Sequence, residues 1–196
     1  MDFKGKYSIP ATPDRVWAAL HEPEILAAAI PGCEGVERTS QTDYRARTTI
    51  KIGPVKARFE GRVQLQELPA PPGVSHALLL KGEGQGGAAG FARGESEVRI
   101  SAEGSGAVLE YSAKATIGGR LAQVGQRLID GAAKSLADEF FAKFAVLMQA
   151  QATAAAANSQ PPAQMQKSEE GLAPQIWVAG LIGTIIILLI VFSIVL

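Results

Sequence analysis

Two stretches in the first third of the chain alternate with a period of two. Val55, Ala57, Phe59, Val63 and Leu65 are spaced by Lys56, Arg58, Glu60, Arg62 and Gln64, and Tyr44, Ala46, Thr48, Ile50 and Ile52 by Arg45, Arg47, Thr49 and Lys51. A strand turns successive side chains to opposite faces, so each run predicts a strand that is dry on one side and wet on the other. Gly53-Pro54 supplies the turn between them, which makes a hairpin. Further strands are predicted over 3–9, 34–38, 74–81, 90–100 and 107–117. The gaps between the later strands are too short for crossover helices, so the sheet is antiparallel.

The period lengthens to three and four in two places. Thr12 and Pro13 stand where a helix cap and a first helical residue belong, ahead of DRVWAAL, and PEILAAA follows as a second short helix ended by Pro31-Gly32. A long helix is predicted from Gly119 or Arg120 to about Gln151. Its apolar stripe of Leu121, Val124, Leu128, Ala132, Leu136, Phe140, Phe144 and Leu147 lies across the dry face of the sheet. The fold class is α+β.

The apolar signal changes character after that helix. Residues 176–196, IWVAGLIGTIIILLIVFSIVL, carry no charge and as a helix reach about 30 Å, the thickness of a bilayer's hydrocarbon core. They are predicted to be a transmembrane anchor. Residues 151–175, with Pro161, Pro162 and Pro174 and few large apolar side chains, read as a linker whose r.m.s. reach is roughly 25 to 30 Å; the Ala-rich start of this stretch extends the helix before it. Residues 1–150 are then one domain, a length that suffices for a single core.

The amino terminus has no apolar leader run, and Lys167 is the basic residue just ahead of the span. The expected location is the cytoplasmic membrane, with the domain in the cytoplasm. A single cysteine, Cys33, forbids an internal disulfide. With 19 Lys+Arg against 19 Asp+Glu the chain has no net charge and no basic block that tracks phosphates, which excludes nucleic acid as an expected partner.

Local motifs sharpen the picture. Ala29-Ile30-Pro31-Gly32-Cys33-Glu34, Gly53-Pro54-Val55-Lys56 with Phe59-Glu60-Gly61, and the run from Gly118-Gly119-Arg120-Leu121 through Gly125-Gln126-Arg127-Leu128 to Asp130 with Phe140-Phe141 resemble the G-type accessory family of carbon monoxide dehydrogenase, CoxG. The element order is similar to the helix-grip fold of the START and Bet v 1-like superfamily. That resemblance implies a curved antiparallel sheet wrapped around the long helix, with an apolar cavity between them. It also implies a partner: a soluble molybdenum-containing carbon monoxide dehydrogenase, or a related hydroxylase, placed at the membrane.

Catalytic chemistry is sparse. His21 and His76 lie on different elements with no metal-ligand spacing around them, so neither a metal site nor a catalytic group is assigned. Cys33 reads as a packing residue rather than a nucleophile beside His21. Gly82-Glu83-Gly84-Gln85-Gly86-Gly87 matches G-x-G-x-x-G, but a strand rather than a helix follows, and a flexible hairpin fits better than a dinucleotide site. Arg127/Asp130 and Asp130/Lys134, with Asp138 and Glu139 nearby, read as surface pairs. Arg45, Arg47 and Arg58 belong to a basic hairpin face with Lys51, Lys56 and Arg62, opposed chiefly by Glu60. That face is either simply solvated or docks an acidic partner or anionic lipid.

The dry side holds the candidate ligand site. Small residues on the strand (Ala107, Ala113, Ala115) and on the helix (Gly118, Gly119, Ala122, Gly125, Ala132, Ala133) leave room between sheet and helix. The expected lining is Phe59, Phe91, Tyr111, Ala113, Ala115, Leu121, Val124, Gly125 and Leu128, with Tyr111 and Gln123 as polar contacts. Three functions remain open: a carrier of a lipophilic small molecule, a passive anchor, or a helix-grip enzyme on a lipophilic substrate. The carrier is preferred because an anchor needs no cavity. Its cargo is expected to be a respiratory quinone, menaquinone or ubiquinone, since electrons leaving a soluble hydroxylase must reach acceptors dissolved in lipid.

Overall fold

Alternating apolar and polar residues become seven strands in the computed structural model, which describes residues 1–158. They are β1 (Asp2–Ile9), β2 (Cys33–Arg38), β3 (Asp43–Ile52), β4 (Val55–Leu68), β5 (His76–Gln85), β6 (Phe91–Glu103) and β7 (Gly106–Gly118). All neighbours are antiparallel, in the order β1-β7-β6-β5-β4-β3-β2. β1 closes against β7 across the length of the chain, so the first strand and the sixth and seventh form one half of the sheet. Several strands outrun their predicted ends, because the alternation argument stops where polar residues fall on both faces: β4 continues past Leu65 to Leu68 and β6 past Ile100 to Glu103.

The two short helices, α1 (Pro13–Ala19) and α2 (Pro23–Ala29), stand where the sequence placed them, each with Pro at its start. Thr12 occupies the cap position of α1, but its side chain makes no capping hydrogen bond.

The long helix is not continuous. It is split into α3 (Arg120–Gln123) and α4 (Gln126–Asn158). Gly125 sits between them at φ +91°, a conformation that L side chains avoid. The predicted stripe ran through this point because Leu121, Val124 and Leu128 keep helical spacing. The break rotates them apart, leaving Leu121 buried and Leu128 50% exposed.

The main core gathers at one end. Ile9, Val16, Leu78, Ile100 and Leu109 pack with Phe144 and Met148 of α4, all at 2% exposure or less. A smaller cluster of Phe59, Ala89 and Leu121, with Ile50, Ile52, Val55, Ala57 and Ile117 against it, lies beneath α3. Between the two clusters the first turns of α4 span the sheet. Among the described residues no helix is long and apolar enough to cross a membrane; the expected anchor, 176–196, and the linker beyond residue 158 lie outside them.

Candidate functional site

Facing residues under α4 leave a groove of about 400 Å³. Its floor is the inner face of the sheet, with Leu80, Ser96, Val98, Tyr111 and Ala113, and its flank is β3, with Thr48 and Ile50. α4 forms the roof through Ala133, Leu136, Ala137, Phe140 and Phe141, and Phe3, Ile30 and Pro31 close the sides. The small side chains of Ala133 and Ala137 are what hold the roof off the floor. Ser96 and Thr48 are the polar side chains in this lining besides Tyr111, and the Thr48 hydroxyl donates to the Pro31 carbonyl at 3.1 Å. Such a surface suits an apolar body with few oriented polar groups.

One rim of the groove is chemically different. Tyr111 lines both the groove and an adjoining polar hollow that reaches Lys134 and Asp138. The Tyr7 hydroxyl donates to Asp138 Oδ1 at 2.7 Å, and Lys134 Nζ donates to Asp138 Oδ2 at 2.6 Å. Tyr7 stacks on Phe141 with ring centroids 4.0 Å apart and runs parallel to Tyr111 at 6.3 Å. Gly5 makes this possible, since any Cβ there would collide with the Tyr111 ring and crowd Tyr7. Burial, aided by the hydrogen bond to Asp138, pushes the Tyr7 hydroxyl well above its ordinary value, and burial and then the Asp138 charge raise Tyr111. Hydrogen bonds from Lys134 and Tyr7 hold the Asp138 carboxyl below the usual range. The two phenols therefore stay neutral donors across the physiological range.

The predicted lining residues divide. Tyr111 and Ala113 line the groove. Ala115 is half-buried on the same inner face, in register with Gly94 and held by Met1 backbone hydrogen bonds. Phe59 and Leu121 are core of the smaller cluster, at 7% and 3% exposure. Val124 and Gly125 belong to the helix break, and nothing lies within 4 Å of a Cβ built on Gly125. Leu128 and Gln123 face solvent. Phe91 is on the other side of the sheet: its partner Gly118 and its neighbour Arg93, whose guanidinium lies 6.0 Å from the ring centroid, share the outer face.

Residues absent from that prediction, notably Phe3, Ile30, Pro31, Thr48, Leu80, Ser96 and Val98, come from strand register. The parity of Ala92, Gly94, Ser96, Val98 and Ile100 was readable in the sequence and would have placed Ser96 and Val98 inside and Phe91 outside.

On the outer face the basic residues are not a uniform stripe. Glu37, Arg45, Arg62, Glu83 and Arg93 follow one another as cross-strand partners. Arg47 pairs with Glu37 at 3.6 Å and Arg58 with Glu34 at 2.5 Å, so Glu34, Glu37 and Glu83 join Glu60 in balancing the arginines. A larger hollow of about 1030 Å³ lies over this face, lined by Arg45, Arg62, Lys81, Glu83, Arg93 and Glu95 among others. Its charged walls give a lipophilic ligand no dry floor, and the smaller groove is the better site.

The remaining chemical candidates are structural. The His21 ring nitrogen bonds the Trp17 carbonyl at 2.8 Å, and Trp17 stacks against both His21 and His76. His76 Nε2 lies 2.7 Å from Asp14. Cys33 begins β2 opposite Thr48. Asp130 forms neither expected pair: Lys134 turns to Asp138 and Lys143 to Glu139. Gly82–Gln85 belong to β5, followed by a turn with a single short 3-10 segment, Gly87–Ala89. Among the described residues no three His, Cys, Asp or Glu gather closely enough to hold a metal ion.

Known structures share this architecture. A conserved protein from Geobacillus kaustophilus aligns with a TM-score of 0.68 at 29% identity, covering 76% of this chain and 95% of that one. A START superfamily protein from Mycobacterium smegmatis aligns at 0.57 and 9% identity, over 76% and 98%. The Zhui aromatase/cyclase from Streptomyces sp. R1128 aligns at 0.54 and 14%, over 79% and 97%. The last two likenesses concern the fold alone, which is the helix-grip, START-like fold. Comparison with curated proteins gives no significant match. The sequence profile of CoxG, the G-type accessory family of carbon monoxide dehydrogenase, matches residues 5–148. The chain is a member of the carbon monoxide dehydrogenase CoxG family.

Proposed function

We propose that this protein is a membrane-tethered accessory to a soluble molybdenum hydroxylase, carbon monoxide dehydrogenase or a relative, and that it carries a respiratory quinone between enzyme and bilayer. The observation that supports this most is the apolar groove of about 400 Å³ with a phenol at its polar rim. A docking adaptor needs no such space. At about 30 Å³ per water-sized group the groove takes roughly 13 of them, enough for a bicyclic quinone head but not for a long polyprenyl tail. The head lies under Ala133 and Ala137 with a carbonyl accepting a hydrogen bond from Tyr111, and the tail leaves through the open side. Each tail methylene that stays dry contributes about 0.8 kcal/mol. Residues 176–196 serve as the tether, which raises the effective concentration of the domain at the membrane. We assign the protein no catalytic step of its own.

The full chain, purified from bacterial membranes and exchanged into quinone-free lipid nanodiscs, tests the reading by extraction and mass spectrometry. Near-stoichiometric quinone is expected in the parent and not in a groove-filled variant. Equal, trace amounts in both leave a passive anchor as the function.

A further inference from the structure

The end of the molecule that carries the β3–β4 turn and the α3–α4 break has an unusual surface. Lys51 and Lys56 are cross-strand partners flanking the turn, and Arg120 and Arg127 stand on α3 and the first turn of α4. All four are exposed, and none forms an ion pair among the described residues. Elsewhere the cations alternate with carboxylates, so this clustering is local.

Apolar groups accompany the charge. Leu128 is 50% exposed and hangs over the turn, where a Cβ on Gly53 would lie 3.4 Å from its methyl carbon; Pro54 is exposed beside it. The acidic residue on this stretch of α4, Asp130, lines the hollow on the Lys134 side. Beneath the tip, Leu121 plugs the smaller cluster, and Ile50 belongs both to that cluster and to the groove wall. An apolar path therefore runs from the basic tip to the groove.

We propose that this tip is the surface by which the domain docks on anionic lipid. Lys51, Lys56, Arg120 and Arg127 meet the headgroups, while Leu128 and Pro54 enter the boundary between headgroups and acyl chains. An acidic protein would match the four cations, but it would give no reason for an exposed leucine seated over the turn or for the apolar path beneath it. The proposal deepens the carrier reading, and rests on it, by naming where cargo crosses between bilayer and groove.

Residues 1–158 hold their own cores, and the Geobacillus chain, 95% covered, consists of little more. This unit therefore suffices for the test, free of the apolar tail. It is mixed with phosphatidylcholine vesicles with and without phosphatidylglycerol, and partitioning is followed by flotation as salt is raised. Binding is expected only with phosphatidylglycerol and is weakened by salt.

Each cation removed near a surface lowers partitioning about fivefold, so the pair Lys51→Gln and Arg127→Gln loses roughly 25-fold. Leu128→Ser weakens it further, whereas Lys81→Gln with Lys114→Gln, the same charge change on the outer face, has little effect. A melting curve for each variant separates misfolding from lost docking. Absence of binding to phosphatidylglycerol vesicles overturns the proposal, as does an equal loss in the two pairs. So does a tip that matters only for binding the hydroxylase. Ligand titration into the groove is read separately, so the carrier reading can stand if the docking surface fails.

Discussion

Ala113→Trp is the sharpest perturbation of the groove. Ala113 is on its floor, in register with Ser96 on β6 and Phe3 on β1, and its side chain is a single methyl. Tryptophan adds about nine non-hydrogen atoms, two thirds of the roughly 13 water-sized groups that 400 Å³ accommodates. A bound quinone head comparable to a buried aromatic side chain hides about 200 Å², which at 25 cal/mol/Å² contributes about 5 kcal/mol. Losing half of that burial costs about 2.5 kcal/mol, a rise in Kd of roughly 70-fold. The assay is calorimetric titration of a short-tailed naphthoquinone into residues 1–158. Ser112→Trp is the control, because Ser112 is exposed on the opposite face of the same strand. Overpacking costs about 1 to 3 kcal/mol in a filled core, but the new ring enters open space, so the melting temperature should fall by no more than a few degrees. A well-folded Ala113→Trp that binds with parental affinity refutes the groove as the ligand site.

Three further outcomes are expected. Tyr111→Phe should keep affinity for a methylnaphthalene but lose about fivefold for the matching naphthoquinone, the value of one net hydrogen bond of about 1 kcal/mol, by the same calorimetry. Asp138 should titrate below the unfolded carboxylate value of about 3.9 in carbon-detected NMR; its contribution is present above that value and lost as pH falls through the folded one, and Lys134→Met should move the titration upward. Tyr7 and Tyr111 work in the opposite sense, because both are raised: their contribution is whole below the unfolded phenol value of about 10 and is lost as pH rises through the folded values, which alkaline melts of the parent and Tyr7→Phe will read. Deleting residues 176–196 should transfer the protein from the membrane pellet to the supernatant, and retention through a carbonate wash would contradict the anchor.

The fold was legible because its strands are wet on one side. Lys56, Arg58, Glu60 and Arg62 against Val55, Ala57, Phe59 and Val63 fix both the strand and its faces. The helix break was not legible from spacing. Leu121, Val124 and Leu128 satisfy the helical period whether or not the chain turns between them, and only Gly125, one glycine among several in the segment, marks the position. Sequence spacing reports what an element can bury, not where its axis is redirected.

The groove was harder to read for a related reason. A core announces itself by large apolar side chains, while a cavity arises where large ones fail to meet. Ala133 and Ala137 matter because Phe140 and Phe141, one turn on, prop α4 above the sheet, and because Leu80 and Val98 stop short of it. The polar rim depends on a second absence, the side chain missing at Gly5, without which the Tyr111 ring could not lie parallel to Tyr7. Those contacts join residues more than a hundred positions apart, on the first and seventh strands and the last helix. The same distance explains why Asp138 looked like half of an ordinary surface pair. Its lysine is four residues away and visible to a helical template, but the phenol that aims it at the groove comes from the other end of the chain, and only the closure of β1 on β7 brings the two together.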